Sequence, residues 1–397
     1  MNTIQQGSGQ KYIIKNPTLW ALTIIVGLSC ATYMPSIVSI LPVMAREFEG
    51  VENIDFWIKL LVTMPGFVAA MVAPIVGRWL NLYGKKNIFI ASILGLSVIG
   101  FVPYFLDSIY LIFASRCFLG FVQAGIITST TALIASNTIG QQRAKMMGYH
   151  ASAYGFGPII GLLVIGYLGD YGWRSAFYIF LFPVLLLPFI IKYIQPIDLN
   201  DPKPIPDSAQ TEQSIFKAYP KLYFIYFMTF VTVILTFMTV LHLPFYLTSL
   251  GNIQPSDIGL AIACWTGFKG TSALLYKQAK FRLNFNQVFA LAFFILGIGF
   301  MGIWFTHSYY QVLIALTIIG IGTGLLLPNI NTWLAEIVPE HDRGRALGWI
   351  VTFMGLGQFL CPIITQPLIN LFGLPQTFAS FGLLLMASAF FLYKKAL

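Results

Sequence analysis

From residue 18 onward the chain alternates long apolar runs with short polar breaks. Twelve runs approach or exceed the roughly 20 residues that cross a bilayer as a helix: 18–44, 57–79, 88–105, 109–135, 146–167, 176–194, 222–248, 258–275, 287–305, 309–337, 346–369 and 376–393. The pattern predicts an all-α integral membrane protein with 12 transmembrane helices. Little lies outside the runs, which leaves no room for a separate soluble catalytic domain. The longest break contains "NDPKPIPDSAQTEQ", proline-rich and polar, and reads as a flexible linker. The first run is too long for a signal-peptide core and lacks a small-residue cleavage pattern, so it stays as a helix.

Composition agrees: 57% of the 397 residues are hydrophobic and 9% charged. The net charge of +9 would point to nucleic acid on a soluble face, but here the positive-inside rule accounts for it. With the N-terminus in the cytosol, 18 of the 23 Lys and Arg are cytoplasmic: Lys11, Lys15, Arg78, Lys85, Lys86, Arg143, Lys145, Lys192, Lys203, Lys217, Lys221, Lys277, Lys280, Arg282, Arg343, Arg345, Lys394 and Lys395. Arg46, Lys59 and Arg174 fall outside. Both termini are therefore expected in the cytoplasm of a bacterial inner membrane. Trp20, Trp79 and Trp349 then mark the inner interface, and Trp57, Trp173 and Trp304 the outer one. Cys30, Cys117, Cys264 and Cys361 are isolated within runs and read as small buried apolar residues, with no metal-ligand spacing.

The text repeats. "QQRAKMMGY" (Gln141 to Tyr149) follows the fourth run and "HDRGRALGW" (His341 to Trp349) the tenth; "GFGPIIG" (Gly155 to Gly161) is answered by "GLGQFLCPII" (Gly355 to Ile364). The expected organisation is a tail (1–15), a six-helix bundle (16–195), a linker (196–220) and a second, pseudo-symmetric six-helix bundle (221–397). In duplicated carriers the substrate site lies between the halves near mid-membrane.

"GRWLNLYGKKN" (Gly77 to Asn87) resembles the signature loop of the major facilitator superfamily, Gly-x-Leu-Ala-Asp-Arg-x-Gly-Arg-Lys, with Gly77, Gly84, Lys85 and Lys86 in register. Arg116 in "SRCFLGFVQAG" resembles the family's fourth-span arginine. Gly157, Pro158 and Gly161 resemble its fifth-span Gly-Pro motif, and "GDYGWRSAFYIF" (Gly169 to Phe180) its entry to span six. The resemblance implies a two-bundle, alternating-access secondary transporter of the drug and metabolite exporter kind. It also implies gating roles for Gly77, Asn81, Gly84, Lys85, Gly157, Pro158, Gly161 and Arg343. Asn81 stands where the family has an aspartate that stabilises the outward-open state. An amide lacks the charge-assisted bond, about twice as strong, so a weaker inner gate is expected. The fifth-span motif is partial, with Ala153 for the upstream glycine and Leu162 for the second closing one.

The expected charge map leaves two ions at membrane depth, Arg116 and Lys269, both positive. Such a cation is costly unless it meets water, a partner or an anion. Trp265, Lys269, Ser272 and Tyr276 share a helical face, as do Arg116, Gly120 and Gln123. The other readings are backbone bonding for Arg116 and snorkelling for Lys269. Tyr33, Asn329, Asn331 and Gln358 add polar groups. The expected substrate-binding set is Arg116, Lys269, Trp265, Gln123, Tyr33, Asn329, Asn331 and Gln358. Lys269, His150 and His242 are candidates for proton coupling.

A cationic pocket favours an anionic substrate. The expected function is secondary transport of a small organic anion, such as a carboxylate or siderophore-like metabolite, with efflux slightly ahead of uptake. The alternatives are a drug/proton antiporter for neutral or cationic compounds and a proton–anion symport importer. No metalloprotease, hydrolase or nucleotide-binding motif occurs, so neither an enzyme nor an ATP-driven pump is expected, and no cofactor. The expected partners are the solute, membrane lipids and protons, with the chain acting as a monomer.

Overall fold

A computed structural model describes residues 17–32, 34–138, 140–194 and 218–394. The predicted tail, Tyr33 and the predicted linker up to residue 217 lie outside the described residues. The described residues form helices and contain no strand. The first crossing is α1 (Pro17–Thr32), then a 3₁₀ segment (Met34–Ile40) and α2 (Leu41–Glu47). It is followed by α3 (Ile54–Tyr83), α4 (Lys85–Phe101), α5 (Ile109–Asn137) and α6 (Gly140–Gly169). A second long 3₁₀ segment (Trp173–Leu186) continues into α7 (Leu187–Tyr193). The second half is α8 (Lys221–Ser249), α9 (Pro255–Arg282), α10 (Phe285–Trp304), α11 (Tyr309–Ile337), α12 (Glu340–Phe372) and α13 (Leu374–Lys394). Eleven of these crossings are long and apolar enough to span a membrane. The first, with α1 only 16 residues long, is assembled from three pieces.

The halves are in register. α5 and α11 have limits that differ only in the hundreds digit, and so do the starts of α4 and α10 and of α6 and α12. The two arginines of the repeated text do the same work. Arg143 donates to the carbonyls of Thr138 (2.8 Å) and Ala135 (2.6 Å), and Arg343 to those of Ala335 (3.0 Å) and Val338 (3.5 Å). Each thus satisfies carbonyls left open at the end of the preceding helix. Arg343 lies within its own half here and staples the α11–α12 corner.

The signature segment is not a loop. Gly77 to Tyr83 are the last turns of α3, and Gly84 alone separates α3 from α4, at φ +86°. That backbone angle is readily adopted by glycine. The Lys86 ammonium donates to the Ile191 carbonyl (2.8 Å) near the end of α7 and ties the start of α4 to it.

Crossings alternate between two ends of the molecule. One end collects Arg78, Lys85, Lys86, Arg143, Lys192, Lys280, Arg343 and Lys394, and is here the basic face. The other holds Glu47, Asp107, Asp170 and Asp257, the acidic face, where Arg174 pairs with Glu47 (3.2 Å) and Asp107 (2.6 Å). Trp79, Trp304 and Trp349 are exposed as an interfacial belt requires, but Trp20 and Trp173 are core residues, each 3% exposed. Cys361 is buried as expected, whereas Cys117 and Cys264 are half-buried.

Within each half, small residues let helices approach, the usual device where lipid removes the hydrophobic drive between them. Gly120 of α5 lies against Val68 and the Pro65 carbonyl of α3; Gly320 and Gly324 of α11 lie against the backbone of α9 at Trp265 and Lys269.

The surface between the two halves

Two helix pairs carry most of the contact between halves, α3 against α12 and α6 against α9, with smaller contacts from the first 3₁₀ segment and α2 to the second half. In a helix, positions 7 or 11 apart return to nearly the same face. On α6 such a face holds Gly148, Gly155 and Gly166. A side-chain carbon on Gly166 would stand 2.8 Å from the Pro255 carbonyl of α9, whereas Gly155 and Gly148 face open space. On α9, Gly259 is pressed against the Leu162 carbonyl and Gly270, on the same face, is open. On α3, Gly66 packs on the Gln358 amide and Gly77 is open; on α12, Gly355 meets Ala70 at 2.8 Å, and Gly348 and Gly344 are open. In all four helices the closed positions lie toward the acidic face and the open ones toward the basic face. The conformation is shut at the acidic face and open at the basic one.

Polar and aromatic contacts complete the closure. The Asp170 carboxylate accepts from the Ser256 backbone N–H (2.9 Å), and Phe67 stacks on Phe359 with centroids 4.4 Å apart. Gln358 donates weakly to the Val62 carbonyl (3.4 Å). Nearer the acidic face lies a residue assigned above to the exterior. Lys59 is 3% exposed, donates to the Gln366 amide oxygen and sits 4.7 Å over the Phe245 ring of α8. Gln366 passes the chain on to Asn370 (2.8 Å). His242 is fully buried beside this cluster, with Nε2 against the Thr365 hydroxyl (2.7 Å) and Nδ1 without a partner. Lys59 is thus buried in the contact between the halves at its acidic end rather than exposed. It lies toward the acidic face, the expected exterior, but "FWIKLLVTM" sets it inside an apolar run, and it is buried there.

The structure does not gather the expected substrate residues into one pocket. Arg116 is 1% exposed and enclosed in the first half, its guanidinium 5.0 Å from the Phe177 ring and 5.4 Å from Phe180, without a hydrogen-bond partner. The backbone carbonyls considered for it are not engaged. Gln123 is half-buried with Oε1 unpaired. Lys269, also half-buried, holds its ammonium 5.1 Å over the Trp265 ring, the cation–π arrangement that four-residue spacing permits.

The remaining polar residues serve packing. Ser272 donates to the Ile321 carbonyl (2.7 Å), and Tyr276 to Asn329 (3.2 Å), whose amide donates to the Phe285 carbonyl (3.0 Å). Asn329 is wholly buried and joins α9, α10 and α11, while Asn331 is exposed. His150 of α6 is 3.2 Å from the Thr131 hydroxyl of α5. Pro158 offers its carbonyl to Ser36 (3.1 Å), and Gly157 and Gly161 are buried beside it. Asn81 is exposed on the open side. No group of three or more metal-ligating residues occurs among the described residues.

A two-half helical protein with one mouth shut and the other open has the geometry of a carrier. The sequence profile of the Major Facilitator Superfamily matches residues 19–282 and again 225–396. The chain belongs to the major facilitator superfamily. Superfamily members are transporters, so this is a multi-pass membrane transporter and not an enzyme. Among curated relatives, Quinolone resistance protein NorA of Staphylococcus aureus is 26% identical over 345 residues, covering 84% of this chain and 85% of that protein. Multidrug resistance protein 1 of Bacillus subtilis is 27% identical over 312 residues (74% and 76%), and the multi-drug resistance efflux pump PmrA of Streptococcus pneumoniae 23% over 384 (94% and 93%). Solved superfamily structures share the fold at 14% identity. A D-xylose–proton symporter superposes with a TM-score of 0.78 (95% and 97% covered), and a bacterial homologue of the lysosomal transporter Spinster, inward-facing and occupied, with 0.75 (98% of each).

Proposed function

We propose that the protein exports drug-like amphiphilic compounds by alternating access, driven by a proton gradient. The observation that carries this reading is the pair of mouths in opposite states on one continuous inter-half surface, in a chain whose relatives are drug efflux pumps. With the basic face in the cytosol, as the positive-inside rule favours, both termini are cytoplasmic and the open mouth is the loading mouth of an exporter. The small organic anion anticipated from charge alone gives way to the drug-exporter alternative, because the relatives favour it. One chain supplies both halves, so a monomer suffices.

The cations still constrain the substrate. With Lys269 half-buried on α9, Lys59 buried at the shut face and the carboxylates at the ends of the spans, zwitterions that carry a carboxylate are favoured over lipophilic cations. Proton coupling falls to Lys269, His150 or His242, since no membrane-depth carboxylate is available. Purified protein in liposomes under an imposed pH gradient tests this with a labelled quinolone, a lipophilic cation and a tricarboxylate. Gradient-dependent movement of the quinolone is expected. Transport of the tricarboxylate alone would return the assignment to the anion carrier.

A further inference from the structure

On the outer flank of the second half, α10 and α13 cross tightly and then part. At the crossing a side-chain carbon on Gly297 would stand 2.9 Å from the Gly382 carbonyl, and one on Gly382 2.9 Å from that of Gly297. Toward the basic face the helices separate around a cavity of about 470 Å³, walled by Leu283, Ala290, Phe294, Met386, Ala389 and Phe390. From Gln287, which lines the groove, to the crossing at Gly297 it runs about 15 Å at the helical rise per residue. That is about half the roughly 30 Å hydrocarbon core, and the crossing closes the groove at its far end.

The mouth is positively charged. Lys280 lies 3.9 Å over Phe285, and Lys394 lies 4.6 Å over Phe390, itself part of the wall; Arg282 is exposed next to Leu283. None of the three forms an ion pair with a described residue. The two helices that wall the groove contain no Asp or Glu, and Glu336, at the end of α11, lies toward Tyr276 of α9. A slot one leaflet deep with three uncompensated cations at its mouth matches a lipid with an acyl chain and a negative headgroup.

We propose that this groove is a binding site for one anionic phospholipid of the basic-face leaflet, its acyl chain between α10 and α13 and its phosphate on Lys280, Arg282 and Lys394. The site stands apart from the surface between the halves and does not depend on what is transported. Native mass spectrometry of the purified protein, titrated with phosphatidylglycerol and with phosphatidylcholine of the same chains, tests it. Phosphatidylglycerol should be retained preferentially, and each charge removed among Lys280→Gln, Arg282→Gln and Lys394→Gln should lower that preference roughly fivefold, the weight of one basic residue near an anionic surface. Ala389→Phe, which fills the groove and leaves every charge in place, should lower retention of both lipids at this site. Equal retention of the two lipids by the unaltered protein would overturn the proposal, as would a preference that survives the triple charge change. Full retention in Ala389→Phe would overturn the groove as the chain's seat.

Discussion

The Lys59 ammonium donates to the Gln366 amide oxygen across 307 positions of sequence, joining the two halves where the acidic face is shut. A buried cation held by a neutral amide is a contact with two sides. The bond favours closure, and the cation's hydration favours opening. Gln366→Leu removes the bond and leaves the charge, a loss of about 1.5–3 kcal/mol for a hydrogen bond to a charged group. It should shift the population toward acidic-face opening about tenfold or more. Lys59→Met removes the charge as well and should keep the face shut. Maleimide labelling of Ala70→Cys, at the closed contact, reads both; equal labelling in the two backgrounds would remove Lys59 from the latch.

Asn81 lies exposed on the last turns of α3, beside the open mouth. Asn81→Asp should favour closure of the basic face, since a charge-assisted bond is about twice as strong as a neutral one. The expected reading is slower maleimide labelling of Ser152→Cys, a nearly isosteric change at an exposed position on the open stretch of α6. Labelling that does not change would show that residue 81 does not bias the gate.

The open glycines separate stability from transport. Gly155→Leu and Gly348→Leu place side chains in empty space, so the melting temperature should stay within about 2 °C, the shift expected of a change well under 1 kcal/mol. Transport should fall by about tenfold or more, because the basic face can no longer close. Gly259→Leu, pressed on the Leu162 carbonyl, should instead lower the melting temperature. Normal transport in both open-side variants would mean that this surface never closes.

Arg143 and Arg343 act as staples on equivalent corners. Arg343→Ala should cost about 1 kcal/mol, the ordinary net value of such bonds, seen as a melting point about 2–4 °C lower. Arg143→Ala should cost a similar amount, and the pair should add, being separate sites. Strong non-additivity would instead indicate that the corners touch during the cycle.

The fold was legible because membrane helices announce themselves by length and apolarity, and the repeat of "QQRAKMMGY" in "HDRGRALGW" exposed the duplication. What a run of apolar residues does not encode is which side faces the other half. Lys59 therefore read as surface, Trp20 and Trp173 as belt residues, and Asn329 as cavity lining although it bonds three helices together. Spacing placed Lys269 against Trp265 correctly, since that contact lies within one helix. The surroundings of Arg116, formed by rings more than 60 residues away in sequence, were not readable from spacing.

The empty glycine face beside the open mouth has a pharmacological meaning. A rigid compound resting on Gly155 or Gly348 would act as a doorstop, holding the carrier in one posture without imitating anything it carries. Its block would not be relieved by adding more substrate. Escape from it would arise at these small residues, where every added methyl group also jams the mechanism it is meant to free.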